Sequence, residues 1–184
     1  MSNLNEDAVE YSLIEILRGE GYTYYHDTTI APNGEFPKRE KLSDVILDDE
    51  LKEALMRLNP NAPKSALDEA YQHIIHLGSS DIMTNNEKFH KFLTDGITVE
   101  HFKDGNSRGM DIKVMDFEEG KTNNNTFTVV NQFKIKENNS SKRLDVILFV
   151  NGLPLVVVEL KNALDEKATL EKAYTQIQNY KTAI

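Results

Sequence analysis

The sequence contains no cysteine, which excludes a disulfide framework and any thiolate metal site. Long apolar runs are also missing. None approaches the roughly 20 residues of a membrane-spanning helix, and no secretory apolar region precedes the first charged residues. These absences predict a soluble, cytoplasmic protein. Positive charge is in short supply: 30 acidic residues stand against 21 basic ones, for a formal net charge of −9. That balance argues against a stand-alone, non-specific DNA binder, whose affinity comes mainly from neutralising phosphates. If DNA is the substrate, another domain or subunit is expected to hold it. A complete phosphate loop is absent as well. Gly120-Lys121-Thr122 supplies the end of that motif, but Met115 stands where its first glycine belongs.

What is present suffices for one compact domain, with 184 residues of which 39% are hydrophobic. The first pattern predicts a helix from about Asn5 to Arg18, with Asn5 as cap, Glu6 and Asp7 at the positive end, and Gly19 and Gly21 as stops. Val9, Leu13, Ile16 and Leu17 form its expected buried stripe. Glu10 falls at the edge of that stripe and Glu6 near its middle, in the first turn. Either these acids serve the helix dipole and the solvent, or one of them faces inward toward a site.

Tyr22 to Ile30 is aromatic and β-branched and predicts a strand ending at Ala31-Pro32-Asn33-Gly34. From 42 to 95 the periodicity is helical, with breaks at Asn59-Pro60, Gly78 and Gly96, and without repeats or low-complexity runs. His73 and His76 in this block share a helical face, but no third ligand stands nearby, so a solvated or partly packed face is the better account. Ile97–Phe102, Met110–Phe117 and Thr126–Ile135 read as strands of a meander, with a turn at Asp104-Gly105-Asn106 between the first two. Lys134, Lys136, Lys142 and Arg143 then reverse the local sign of charge, as a phosphate-facing surface or as solvated strand ends.

The chain is organised around residues 143–161, RLDVILFVNGLPLVVVELK. Two short β-branched runs joined by Asn151-Gly152 predict a hairpin with both strands buried at the centre of a sheet. Glu159 and Lys161 share a strand face by period-two alternation, and Asp145 occupies the preceding strand. Ionised groups at the ends of apolar strands need a partner or a cation. Two carboxylates and a lysine suit phosphodiester hydrolysis, in which hard oxygen ligands hold Mg²⁺ and the lysine offsets developing charge. A structural ion-pair cluster explains the spacing equally well. Indeed Glu50-Leu51-Lys52 repeats that spacing on a helical pattern, with no metal logic. A shared site also constrains the turn. A regular two-residue loop would send Asp145 and Glu159 to opposite faces, so an odd loop or a bulge is required.

After a connection at 162–164, a helical pattern runs through Leu170, Ala173, Tyr174 and Ile177, placing Gln176 and Tyr180 on the packed side. The last residues carry no stop signal, from which a fragment of a longer chain is expected. Asp145, the Asn151-Gly152-Leu153-Pro154 turn, Glu159-Leu160-Lys161 and Gln176-x-x-x-Tyr180 together resemble the PD-(D/E)xK nuclease motifs. With Asn131-Gln132-Phe133 and the Glu10 helix, they resemble the endonuclease domain that opens the R subunit of type I restriction-modification enzymes. Leu144 replaces the proline of the motif's name, a position that is commonly relaxed.

The resemblance implies an α/β fold, restriction-endonuclease-like, with a mixed central sheet flanked by helices and the block at about 42–95 inserted in a single nuclease domain. It implies that Asp145 and Glu159 ligate Mg²⁺, with Glu10 as a further candidate ligand, and that Lys161 assists the nucleophile. Gln176 and Tyr180 would support the site or the DNA. The implied activity is cleavage of double-stranded DNA alongside methyltransferase and specificity subunits, with ATP used only by the motor of the full-length subunit. The rival readings are a non-catalytic docking module for a methyltransferase complex and an independent repair or recombination nuclease.

Overall fold

The computed structural model describes residues 6–103, 106–137, 140–161 and 170–183. In order these form α1 (Glu6–Gly19), β1 (Thr23–His26), the single turn α2 (Asp27–Ile30), α3 (Asp48–Leu58), α4 (Lys64–Ile75) and α5 (Ile82–Asp95). There follow β2 (Ile97–Lys103), β3 (Asn106–Ile112), β4 (Phe127–Glu137), β5 (Ser140–Val150), β6 (Leu153–Val158) and α6 (Leu170–Ala183). The expected cap Asn5, the turn residues Asp104 and Gly105, and the connection at 162–164 lie outside the described residues. The chain divides into two compact units, one of Met1–Leu47 with Phe127–Ile184, the other of Asp48–Thr126.

The first unit has the α/β architecture implied by the resemblance. Its four-stranded sheet runs β1-β4-β5-β6, with β1 parallel to β4 and the remaining pairs antiparallel. Val130, Phe133, Ile135, Leu144, Ile147 and Phe149 gather in one buried cluster with Ile30 and Leu47. Phe133 and Phe149 meet edge to face at 5.6 Å, and burying each such ring stabilises the fold by about 2–3 kcal/mol. Below this cluster the wholly buried Arg39 side chain donates to Asp27 and to the Lys134 carbonyl, its guanidinium 3.9 Å from the Phe133 ring centroid. Burial pushes the Arg39 pKa down, and the Asp27 charge offsets part of that.

The expected first strand is shorter than its composition suggests. It stops at His26, whose Nδ1 caps α2 by accepting the Thr28 amide, and the following residues turn helical. In α1 the buried face is rotated from the expected stripe: Ile14 is buried and Ile16 is 63% exposed. The inward face is therefore Ile14 with the half-buried Val9, Glu10, Leu13 and Leu17, while Glu6, one turn before Glu10, is exposed. Nor is the hairpin central. β6 is an edge strand, and Val156 and Val157 are exposed.

In the second unit the helical block appears as α3, α4 and α5. The expected meander does not form: β2 and β3 pair with each other in a sheet of their own. Gly96 ends α5 with φ 82°, and a Cβ there would stand 2.8 Å from the Ile112 carbonyl oxygen, so glycine is required. β3 ends at Ile112 rather than reaching Phe117, because the Asn59 side chain takes both main-chain groups of Lys113 at 2.8 Å. Asn125 does the same for Asp116. Two side-chain amides thus replace the strand partner that the apolar pattern at 113–117 anticipates.

Candidate active site

The hairpin turn decides whether Asp145 and Glu159 can act together. Asn151 and Gly152 have φ 52° and 77°, as a two-residue primed turn requires, and Val150 pairs with Leu153. Continued regularly, that register would separate the two acids. Between Phe149↔Pro154 and Leu148↔Val156, however, β6 takes in one extra residue, Leu155. Pro154 has no N–H to give the ladder, and a bulge beside it is the natural outcome. Beyond the bulge Val146 pairs with Val158, whereas an unbroken two-residue hairpin would have paired Asp145 with Val158; Asp145 and Glu159 each lie one residue beyond that last pair.

β6 ends at Val158, so Glu159, Leu160 and Lys161 lie just past the strand rather than within it. Asp145 bridges the gap: one of its oxygens, Oδ2, accepts the Leu160 N–H at 2.8 Å. Glu159 turns inward, with its side chain 1% exposed, and Oε1 accepts from Lys161 Nζ at 2.6 Å. Burial pulls the Lys161 pKa down. The hydrogen bond and charge of Glu159, followed by the charges of Asp145 and Glu6, outweigh it and hold the ammonium above its ordinary 10.5.

Glu10 also faces the sheet. Its Oε1 accepts from Asn131 Nδ2 at 2.6 Å and its Oε2 from Gln132 Nε2 at 2.7 Å. Tyr24 on β1 donates to Asn131 Oδ1 at 3.1 Å, which fixes the way the amide points. Burial, and then the Glu10 charge, raise the Tyr24 pKa above its ordinary 10.0. α1 thus serves the cluster twice, through Glu10 at the amides and, one turn earlier, through the charge of Glu6 on Lys161.

Two adjacent residues of a regular strand point to opposite faces, yet Asn131 and Gln132 reach one carboxylate. Gln132 does so with φ 55°, a left-handed conformation costing a residue with a Cβ about 1–2 kcal/mol. In the β4–β5 ladder, Asn131 pairs with Val146 and Phe133 with Leu144, while the intervening Gln132–Asp145 step carries no pair. Val130 and Ile147 on one side of that step join the same cluster as Phe133 and Leu144 on the other. Strict alternation forbids this arrangement, so both strands switch faces at the Gln132–Asp145 step.

Gln176 lies half-buried on α6 beside the half-buried Ala173 and Ile177, while Leu170 and Tyr174 of the expected pattern are exposed. The side chain of Tyr180 lies outside the described residues. His73 stands 3.8 Å from Glu69, and His76 follows the last residue of α4. Glu50-Leu51-Lys52 lies on α3, with Lys52 over the Tyr71 ring. Among the described residues no three His, Cys, Asp or Glu side chains form a metal cage. The donor chemistry of Asp145 and Glu159 nevertheless fits Mg²⁺, which keeps several waters and commonly takes only one or two carboxylates.

Sequence reasoning did not assign roles to Tyr24, Asn131, Gln132 or the Leu160 amide. The available signal was the polar pair Asn131-Gln132 interrupting an apolar strand, where an amide must find a partner.

The family model described as Type I restriction enzyme R protein N terminus matches residues 3–184. The Type I restriction enzyme HindI endonuclease subunit of Haemophilus influenzae is 37% identical over 183 residues, 98% of this chain and 17% of that protein. The Putative type I restriction enzyme MjaIXP endonuclease subunit of Methanocaldococcus jannaschii is 30% identical over 165 residues, 88% of this chain and 16% of that protein. The chain therefore spans 16–17% of the length of these two relatives.

Proposed function

The chain belongs to the family of type I restriction enzyme R protein N termini, and from that premise we propose that its first unit is a Mg²⁺-dependent endonuclease hydrolysing phosphodiester bonds of double-stranded DNA. The observation that carries this reading is the Leu155 bulge, which brings Val146 opposite Val158 and leaves Asp145 and Glu159 each one residue beyond that pair, at a hairpin that would otherwise pair Asp145 with Val158. A structural ion-pair cluster has no need of that register. Asp145 and Glu159 would hold the cation. When bound, Mg²⁺ stabilises charge on the phosphate and acidifies a water.

The protein's own groups do the rest. Lys161 is protonated at neutral pH, so it acts as a fixed positive charge and donor toward the phosphate or the attacking water rather than as a general base. Burial of Glu159 and its bond to Lys161 hold both in one orientation before substrate arrives. Gln176 and Tyr180 would support the site or the DNA strand from α6. In the full-length subunit we place this domain beside an ATP-driven motor, in a cytoplasmic complex with methyltransferase and specificity subunits.

Asp145→Asn in the assembled enzyme is the direct test. It keeps an acceptor for Leu160 and removes the charge, and double-strand cleavage is expected to fall below detection while complex assembly and ATP hydrolysis continue. Cleavage at the normal rate would overturn the reading in favour of a docking module.

A further inference from the structure

Gln132 and Asn151 are the two non-glycine residues with positive φ among the described residues. The hairpin turn accounts for Asn151. Gln132 sits in the middle of β4, where no turn is made and where alternation is ordinarily undisturbed. Its conformation buys one geometric result: two consecutive amides converge on a single carboxylate, one on each oxygen of Glu10, at 2.6 and 2.7 Å. Either amide alone would leave the carboxylate able to pivot; together they fix its plane. Tyr24 locks the Asn131 amide from its far side. The step at which this happens is the one opposite Asp145, the only unpaired step within the β4–β5 register.

We propose that Gln132 is a positioning residue for the cleavage reaction. Its left-handed backbone turns its amide onto Glu10 and holds that carboxylate as an oriented acceptor for the hydration shell of the cation at Asp145 and Glu159. The inference rests on the nuclease reading given above. It assigns Glu10 to the waters around the cation rather than to the cation itself: each oxygen accepts one protein amide and keeps a second lone pair for a water. Glu10 serves waters, and Gln132 sets where it can do so.

Glycine at position 132 separates this role from a merely structural one, since it adopts φ 55° without strain and lacks the amide. In the full-length subunit, Gln132→Gly is expected to keep or raise the thermal unfolding midpoint. In the assembled enzyme it is expected to slow cleavage about 10- to 100-fold. Mn²⁺ binding, followed by electron paramagnetic resonance without nucleotide, is expected to weaken in the same variant. Glu10→Gln should lose as much, and Glu10→Gln with Gln132→Gly should be no worse than the more impaired single variant, because both act through one carboxylate. Wild-type cleavage and Mn²⁺ binding in Gln132→Gly, or losses that multiply in the double variant, would overturn the proposal. Asp145→Asn run alongside reports on the nuclease reading itself: its loss of cleavage with an unimpaired Gln132→Gly would remove only the positioning role.

Discussion

Asp145 accepts the Leu160 N–H at 2.8 Å, so the carboxylate proposed to hold the cation also fastens the segment that carries Glu159 and Lys161. Charge and acceptor can be separated. Asp145→Asn retains a carbonyl oxygen for the amide, whereas Asp145→Ala leaves that N–H without its acceptor, at about 1–3 kcal/mol. Both variants are expected to lose cleavage, and only the alanine variant to lose stability by about that amount in urea unfolding. Equal stability of the two would show that the bond holds nothing in place.

Lys161 and Glu159 support a second prediction. Lys161→Ala removes the ammonium from a carboxylate that is almost wholly buried, and breaking such pairs costs about 3–5 kcal/mol when both partners are buried. Lys161 is a quarter exposed, so a smaller loss, about 1–3 kcal/mol, is expected. Lys161→Met with Glu159→Gln removes both charges and should recover most of that stability while remaining inactive. A double variant no more stable than Lys161→Ala would contradict the pairing.

Tyr24 gives a pH-dependent signal. Burial, then Glu10, raise its pKa above 10.0. The stability tied to the neutral phenol is therefore fully present below pH 10 and is lost as pH rises through the higher folded value. Glu10→Gln removes one of the two causes, so Tyr24 should titrate at lower pH, closer to its ordinary value. Ultraviolet difference titration against Tyr24→Phe isolates this group among the seven tyrosines. An unmoved titration in Glu10→Gln would separate Glu10 from the Asn131–Tyr24 network.

The hairpin was legible because Asn151-Gly152 encodes a turn in two residues and the flanking β-branched runs encode strands. The parity argument went further: from Asp145, Glu159 and the turn alone it required an odd loop or a bulge, and Leu155 supplies the bulge. Glu10 was half legible. Its place on the helix edge left it facing either way, and the direction was set by the partners waiting across the fold, Asn131 and Gln132. Such partners are 121 and 122 residues away in sequence, beyond any local periodicity. The backbone reversal at Gln132 was illegible for a different reason: glutamine carries no preference for positive φ, so only the surrounding contacts can hold it there. The end of β3 failed in a third way, since Asn59 and Asn125 replace strand neighbours with side-chain amides that no apolar pattern announces.

The last prediction concerns where a phosphate backbone would lie. Lys134 pairs directly with Arg143, and Lys136 follows on the same face of β4. Like charges set opposite one another on neighbouring strands are unfavourable by about 0.2–1 kcal/mol, and here they stand in a chain of net charge −9. Their neighbours Phe133, Ile135 and Leu144 point into the core cluster, so the three cations point away from it. That is also the side taken by Asn131, whose neighbour Val130 lies in the cluster and whose amide meets Glu10. The cations therefore share a face of the sheet with Asn131 and its contact to Glu10. If they seat duplex phosphates, Lys134→Ala, Lys136→Ala and Arg143→Ala should each flatten the dependence of log K on log salt by about 0.9. They should raise KM for cleavage more than they lower kcat, leave Mn²⁺ binding unchanged, and leave stability equal or slightly higher. A triple variant with the wild-type salt slope would return these residues to solvated strand ends. If binding were retained and kcat alone fell, the ridge would act on the chemistry instead of on the duplex.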